Sequence, residues 1–124
     1  MSPTKLKERI ERLMPNGVPR YIRCWDSGPK GSADRYTVIY TGRLEGTRQW
    51  CNGAKAWTVY GVGMSANPFH PQGVGMHGEF VPGKHLGRRI KFQDLPPDCQ
   101  KLVLHDYKIL WSLNPTPTSS KATR

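Results

Sequence analysis

Apolar positions recur with helical spacing near both ends of the chain. A first amphipathic helix is predicted over residues 3–14, where four apolar residues fall at i, i+4, i+7 and i+8. These residues are Leu6, Ile10, Leu13 and Met14. Ser2 can cap this helix, and Pro3 suits its first turn, where no backbone N–H is needed. A second helix is predicted over 92–111, because its broad apolar face is typical of a helix that packs on a sheet.

Between these helices, apolar and polar positions alternate with the period of two that is typical of strands. Strands are predicted at 20–26, at 34–42, at 49–51 and from 57 onward. The dipeptide Asn52-Gly53 separates the last two and favours a tight hairpin turn. The pattern therefore predicts an antiparallel meander of about four strands.

The stretch 57–80 begins like a strand and then becomes rich in glycine and proline. The tetrapeptide Gly-Val-Gly-Met occurs in it twice, at 61–64 and at 73–76, and Glu79 is its single formally charged residue. We interpret most of this stretch as a long Gly/Pro-rich ordered loop. Its apolar anchors are expected to be Met64, Phe69 and Met76.

Together these elements predict an α+β fold. It consists of an N-terminal helix, an antiparallel sheet of about four strands, the long ordered loop and a C-terminal helix packed on the sheet. A chain of 124 residues is expected to form one domain, which we place at 1–113. Residues 114–124 lack large apolar side chains, so this segment is predicted to be a disordered tail.

Charge is the strongest signal in the composition. The chain has 19 Lys and Arg against 9 Asp and Glu, which gives a formal net charge of +10. Such an excess attracts polyanions, so the expected partner is nucleic acid or an acidic protein surface. No apolar run is long enough to span a membrane and the N-terminus has no signal core. Three widely spaced cysteines form no CxxC motif, which favours the cytoplasm.

Six cations are the predicted contacts to nucleic acid. They are Lys84, Arg88, Arg89 and Lys91, together with Arg23 and Arg35. The last two alternate with aromatic residues in the predicted strands, a pattern that permits base stacking beside phosphate contacts. The aromatic candidates are Tyr21, Trp25, Tyr36 and Tyr40. Alternatively these rings pack under the C-terminal helix, which is favoured because Val38 shares a face with Tyr36 and Tyr40.

Catalytic and metal-binding candidates cluster in the neutral stretch. His70, His77 and Glu79 have the side chains of a hydrolase, and His77 and Glu79 would face one side of a strand as an acid–base pair. His70, His77 and His85 are the candidate metal ligands, but their spacing matches no metal motif. The alternative is that these histidines bond backbone groups in a polar loop. No cofactor is predicted, and a binding protein is favoured over an enzyme.

Three segments carry a resemblance: DRYTV at 34–38, GMSANPFHPQG at 63–73 and LPPDCQKLVL at 95–104. In these the chain resembles small bacterial proteins of phages, plasmids and gene cassettes, which implies an accessory role for a mobile element. Inhibition of a host defence complex is one such role. The strands YTVIYTG and TVYGVGMS also resemble the core of GIY-YIG nucleases, although the GIY triplet is absent. A small metal- or His/Glu-dependent hydrolase or nuclease is therefore kept as an alternative.

Overall fold

The computed structural model describes residues 3–29, 34–41, 47–51 and 54–113. Two α-helices and six strands make up this part of the chain. In chain order they are α1 (Pro3–Leu13), β1 (Ile22–Asp26), β2 (Tyr36–Tyr40), β3 (Thr47–Cys51), β4 (Ala54–Met64), β5 (Gly75–Phe80), β6 (Arg88–Ile90) and α2 (Pro97–Leu110). Single 3-10 turns lie at Pro15–Gly17, Lys84–Leu86 and Phe92–Asp94.

All strand pairs are antiparallel. Five strands lie in the order β6–β1–β2–β4–β5, and β3 pairs with the first half of β4. The second half of β4 pairs with β2 on one edge and with β5 on the other. The α+β class is thereby confirmed.

The sheet has two strands more than the predicted four. Both additional strands, β5 and β6, lie where the sequence indicated a loop or a basic segment. In β5, Gly75 and Gly78 remove the side chains that would show alternation, and β6 contains two arginines in three residues. The long ordered loop is consequently reduced to residues 65–74. Met64 is fully buried as expected, but Phe69 and Met76 are 58% and 66% exposed, so they do not anchor it.

Hydrogen bonds across its base close this shorter loop. The Ser65 backbone N–H donates to the Val74 carbonyl at 2.8 Å, and the Val74 N–H donates to Ser65 Oγ at 2.9 Å. On the helix side, the Cys99 thiol donates to the Ser65 carbonyl at 3.1 Å. Gly73 packs so closely against the Asn67 carbonyl that a Cβ would overlap it. A side chain at position 73 is therefore excluded.

The main core lies between the sheet and α2. Val103 and Tyr107 of α2 pack there with Tyr36, Val38 and Tyr40. This confirms the prediction that the C-terminal helix covers an aromatic face of the sheet. A smaller cluster lies on the other face of the sheet and consists of Trp25, Ile39 and Val59, with Phe80 and Leu86 against it. Burying both faces of β2 accounts for its complete lack of exposed residues.

The helices match the predicted ones except at the start of α2. A 3-10 turn, Phe92–Asp94, precedes α2, and Pro97 is its first residue. Asp94 accepts a hydrogen bond from the Lys91 N–H at 3.0 Å, so it stabilises the turn and does not cap α2. The predicted cap Ser2 and the predicted tail 114–124 lie outside the described residues. Among the helices of the described ranges, none is long and apolar enough to cross a membrane.

Candidate functional site

Strands β1 and β6 place three of the predicted cations on one surface. Arg89 lies opposite Trp25, and the same register continued by one residue places Lys91 opposite Arg23. Side chains alternate along a strand, so Arg23, Arg89 and Lys91 all lie on the face of the sheet away from α2. All three are exposed. We call these three residues the cationic face.

Trp25 forms the apolar base of the cationic face. The guanidinium carbon of Arg89 lies 5.2 Å from the Trp25 ring centroid, in the range of a cation–π contact. Trp25 itself is only 3% exposed and packs against Ile39. The ring therefore holds Arg89 in place but offers little surface to a base. A ligand would meet the charges of this face and not its aromatic ring.

The remaining arginines share one carboxylate. Asp26 accepts from Arg35 at both oxygens, from Nε at 2.7 Å and from Nη2 at 3.1 Å, and also from the Gly28 N–H at 2.8 Å. Arg88 lies 3.9 Å away from the same carboxylate and is 76% exposed. The hydrogen bond from Arg35 is the main cause that lowers the pKa of Asp26. Much of the charge of Arg35 is therefore balanced within the fold, whereas Arg88 keeps most of its exposure.

Lys84 reaches the edge of this surface through a tight turn. It begins the 3-10 turn Lys84–Leu86, and Leu86 packs against the Trp25 cluster. Gly87 ends the turn with φ 117°, and a Cβ there would overlap the Asp26 carbonyl. Glycine is required at that position because L side chains avoid this φ and because the two backbones lie so close. The turn keeps the exposed Lys84 near β1 and β6.

The base-stacking interpretation of the aromatic residues is wrong for most of them. Trp25, Tyr36 and Tyr40 are at most 8% exposed, so their rings are part of the core. Tyr21 is half-buried and packs against Trp111 with ring centroids 5.6 Å apart. The alternative, packing of Tyr36 and Tyr40 under the C-terminal helix, is what the structure shows.

The three catalytic candidates do not converge. His77 and Glu79 both lie on the α2 side of β5, but Glu79 accepts a hydrogen bond from Thr58 Oγ1 at 2.8 Å. His70 lies in the loop 65–74, where its Nδ1 accepts from the Gln72 N–H at 3.1 Å. His85 lies in the Lys84–Leu86 turn. Within the described ranges, no group of three or more His, Cys, Asp or Glu side chains could hold a metal ion.

His77 instead pairs with a residue that the sequence analysis did not select. Its Nε2 lies 2.7 Å from Asp106 Oδ2, and the Tyr40 hydroxyl donates to the same oxygen at 2.8 Å. The Tyr60 ring lies parallel to the imidazole, with centroids 5.9 Å apart and planes 12° apart. Because an ionised carboxylate only accepts, the Nε2–H of His77 is the donor to Asp106, and in the neutral imidazole Nδ1 is then the nitrogen that can accept a proton from a bound molecule. One feature of the sequence could have indicated this pair: Asp106 interrupts the apolar face of α2, where a carboxylate needs a hydrogen-bond donor.

The two described thiols are unsuited to nucleophilic chemistry. Cys24 and Cys99 are buried and free. Burial raises the pKa of each thiol to about 12. The nucleophilic thiolate is therefore scarce at neutral pH.

Comparison with protein-family models, with curated proteins and with solved structures finds no match to this chain. The resemblance to proteins of mobile elements stays a prediction from the sequence.

Proposed function

We propose that this chain is a non-enzymatic nucleic-acid-binding protein that contacts phosphates through its cationic face, Arg23, Arg89 and Lys91. The observation that carries the proposal is the placement of these exposed cations side by side, on the paired strands β1 and β6 and on the residue that directly follows β6. Among the described residues, no ion pair joins any of them to a carboxylate. Their charge is therefore directed at solvent, where it attracts a polyanion.

Arg88 and Lys84 extend the contact at the rim, and Arg35 supports it indirectly. Because Arg35 is held by Asp26, it positions the end of β1 and contributes little to phosphate binding. Recognition through charge and without stacked bases favours binding of the backbone with little sequence preference. The resemblance to phage and plasmid proteins is in keeping with an accessory role in the bacterial cytoplasm.

Binding is tested by fluorescence anisotropy with labelled single-stranded DNA, duplex DNA and RNA at several salt concentrations. We expect affinity to fall steeply between about 50 and 200 mM salt, because bound cations displace counterions. Replacing Arg23, Arg89 and Lys91 together by Ala should weaken binding and lower the salt slope. The slope falls by about 0.9 per lost duplex contact and about 0.7 per lost single-strand contact.

A matched control removes the same number of charges elsewhere. Lys7, Arg12 and Lys101 are exposed on the two helices, so replacing these three by Ala also lowers the net charge by three. This control should retain most of the affinity. Equal losses in both triple variants would mean that net charge alone drives binding. No binding to any of the three nucleic acids at low salt would eliminate the proposal.

A second candidate function is metal-independent phosphodiester hydrolysis, favoured by the His77–Asp106 hydrogen bond. His77 Nδ1 would accept the proton of the attacking water or hydroxyl as the new P–O bond forms, and Asp106 would stabilise the imidazolium. The P–O bond to the leaving oxygen then breaks, and the imidazolium returns the proton to that oxygen. The test is incubation with labelled RNA and DNA in EDTA, comparing the wild type with His77→Ala and Asp106→Asn. Cleavage that both substitutions reduce supports this function. Absence of cleavage, or cleavage unaffected by His77→Ala, rejects it.

A further inference from the structure

β5 is an edge strand with little of the usual protection. It pairs with β4 on one side, and in the described part of the chain no strand pairs with its other side. Charged residues, Lys above all, and Pro normally prevent edge pairing, and of these the six residues of β5 include only Glu79. The opposite edge strand, β6, is only three residues long and contains two arginines. The two edges of the sheet therefore differ in their ability to accept another strand.

The register with β4 determines which backbone groups of β5 point outward. The Ser65 N–H donates to the Val74 carbonyl, so this pair is a hydrogen-bonded one. Hydrogen-bonded pairs alternate along an antiparallel ladder, so Met76, Gly78 and Phe80 also bond to β4. The N–H and C=O groups of Gly75, His77 and Glu79 consequently point to the outer edge. These three residues can receive a further strand.

The outward groups are self-complementary in one register. In a two-fold antiparallel pair, residues whose backbone groups point outward must lie opposite residues of the same kind in the other copy. These are the odd-numbered positions of β5, so the two-fold axis passes through a residue and not between two residues. An axis at position 77 places the two His77 side chains opposite each other, and an axis at 79 does the same for Glu79. An axis at Gly78 instead places each His77 opposite the other copy's Glu79. Only this register pairs an acid with a base.

In this register the side chains on the other face of the sheet are also complementary. With the axis at Gly78, Met76 of each copy lies opposite Phe80 of the other copy, which gives two equivalent pairs. Met76 is 66% exposed in the single chain, and aromatic–apolar cross-strand pairs are stabilising. At the axis itself, nothing lies within 4 Å of the position of a Cβ on Gly78. The two backbones can therefore approach closely there.

We propose that two copies of this chain associate through β5, antiparallel and with Gly78 on the two-fold axis, to form one continuous sheet. His77 keeps its Nε2–H hydrogen bond to Asp106, and in the dimer its Nδ1, protonated as in the imidazolium, donates to the partner's Glu79. Glu79 keeps its bond to Thr58, because a carboxylate accepts several hydrogen bonds. The contact is isologous, so it closes at two copies. It leaves the cationic face of each copy uncovered, since those residues lie at the other edge of the sheet.

Sedimentation equilibrium of the full chain, over about three decades of concentration ending near 1 mM, tests the association. We expect a monomer–dimer equilibrium. Met76→Lys introduces a charge into the edge and should weaken the dimer by at least about tenfold. Gln93→Lys is the control, because Gln93 is exposed in the turn that follows β6, at the opposite edge of the sheet, and it should leave the equilibrium unchanged.

Disulfide cross-linking tests the register. In the proposed pair the two residues at position 78 are directly opposite, with Cα atoms about 4.5 Å apart, within the range that a disulfide spans. In a Cys51→Ser background, Gly78→Cys should oxidise to a covalent dimer. Met76→Cys should not form one, because the two residues at position 76 lie about 13 Å apart along the strand direction. Cys24 and Cys99 are buried and should not interfere.

The outcomes are decisive in either direction. A dimer weakened by Met76→Lys and cross-linked only through position 78 supports the proposal. A monomer at every concentration overturns it, even if β5 then binds an extended peptide of another protein. Equal weakening by both lysine variants, or equal cross-linking at positions 76 and 78, also overturns it. None of these variants alters the cationic face, so the result is independent of nucleic-acid binding.

Discussion

Asp106 connects α2 to the sheet through two hydrogen bonds to different strands. One comes from Tyr40 of β2, which is fully buried, and the other from His77 of β5. Burial is the main cause that raises the pKa of the Tyr40 hydroxyl, and the nearby Asp106 carboxylate raises it further. The hydroxyl therefore stays protonated as a donor at all ordinary pH values. Asp106 thus links one turn of α2 to two strands of the sheet.

This arrangement predicts a large stability loss for Asp106→Ala. The substitution leaves the buried Tyr40 hydroxyl without its acceptor, which costs about 1–3 kcal/mol in unfolding free energy. Tyr40→Phe removes that donor, so the double variant should be more stable than the sum of the single effects indicates, by about 1 kcal/mol. Urea denaturation of the four proteins measures this coupling. Strictly additive effects would show that the hydrogen bond contributes nothing to stability.

A control distinguishes this loss from the general effect of removing a carboxylate from α2. Asp98 lies in the first turn of the same helix, where its charge interacts with the helix dipole. Asp98→Ala should cost less than about 1 kcal/mol. A cost as large as that of Asp106→Ala would contradict the special position of Asp106.

At the scale of elements, the glycines of the β4–β5 ribbon have different roles. At Gly61, a Cβ would overlap the Val38 carbonyl and lie 3.2 Å from Phe80 Cδ2. The Phe80 ring lies against this strand and joins the smaller cluster on the second face. At Gly78 nothing lies within 4 Å of the same atom. One glycine therefore permits close packing, whereas the other leaves open space.

The difference between these two glycines gives a matched pair of variants. Gly61→Ala forces the β4 backbone away from β2 and should destabilise the fold by about 1–3 kcal/mol. Gly78→Ala meets no atom and restricts the unfolded chain, so it should be neutral or stabilising by up to about 1 kcal/mol. Thermal or urea denaturation compares them. Equal effects of the two substitutions would contradict the close approach at Gly61.

The elements found from the sequence are those whose side chains display their periodicity. The helix α1 and the strand β2 show a complete apolar pattern, and both form where predicted. β5 was missed because its glycines erase the alternation, and its pairing with β4 is a tertiary contact. The His77–Asp106 pair joins residues 29 positions apart, a separation that no local pattern reveals. The cationic face was predicted in part. The sequence identified its three residues, but only the pairing of β1 with β6 shows that they lie on the same face of the sheet.

At the scale of the whole molecule, positive charge exceeds what the fold neutralises. The formal net charge is +10, and Asp26 and Asp106 are carboxylates that pair with basic side chains within the fold. Like charges on a compact body repel one another and lower its stability. A bound polyanion would relieve that repulsion, so the proposed nucleic-acid binding predicts a coupling between binding and fold stability.

This coupling predicts that salt has opposite effects on the free and the bound protein. For the free chain, raising NaCl from about 20 to 200 mM should increase the melting temperature, because salt screens the repulsion. At low salt, an oligonucleotide at about 100 times its dissociation constant should stabilise the fold by about 2.7 kcal/mol. Added salt should then lower the melting temperature, because it releases the ligand.

Differential scanning fluorimetry with and without the oligonucleotide measures both slopes. The triple Ala variant at Arg23, Arg89 and Lys91 should lose the stabilisation by the oligonucleotide but keep a smaller salt-induced increase in the free state. The Lys7, Arg12 and Lys101 control should keep both effects. A melting temperature that rises with salt whether or not the oligonucleotide is present would show that these cations do not bind it. The sign of the slope thus separates a phosphate-binding surface from an excess of charge alone.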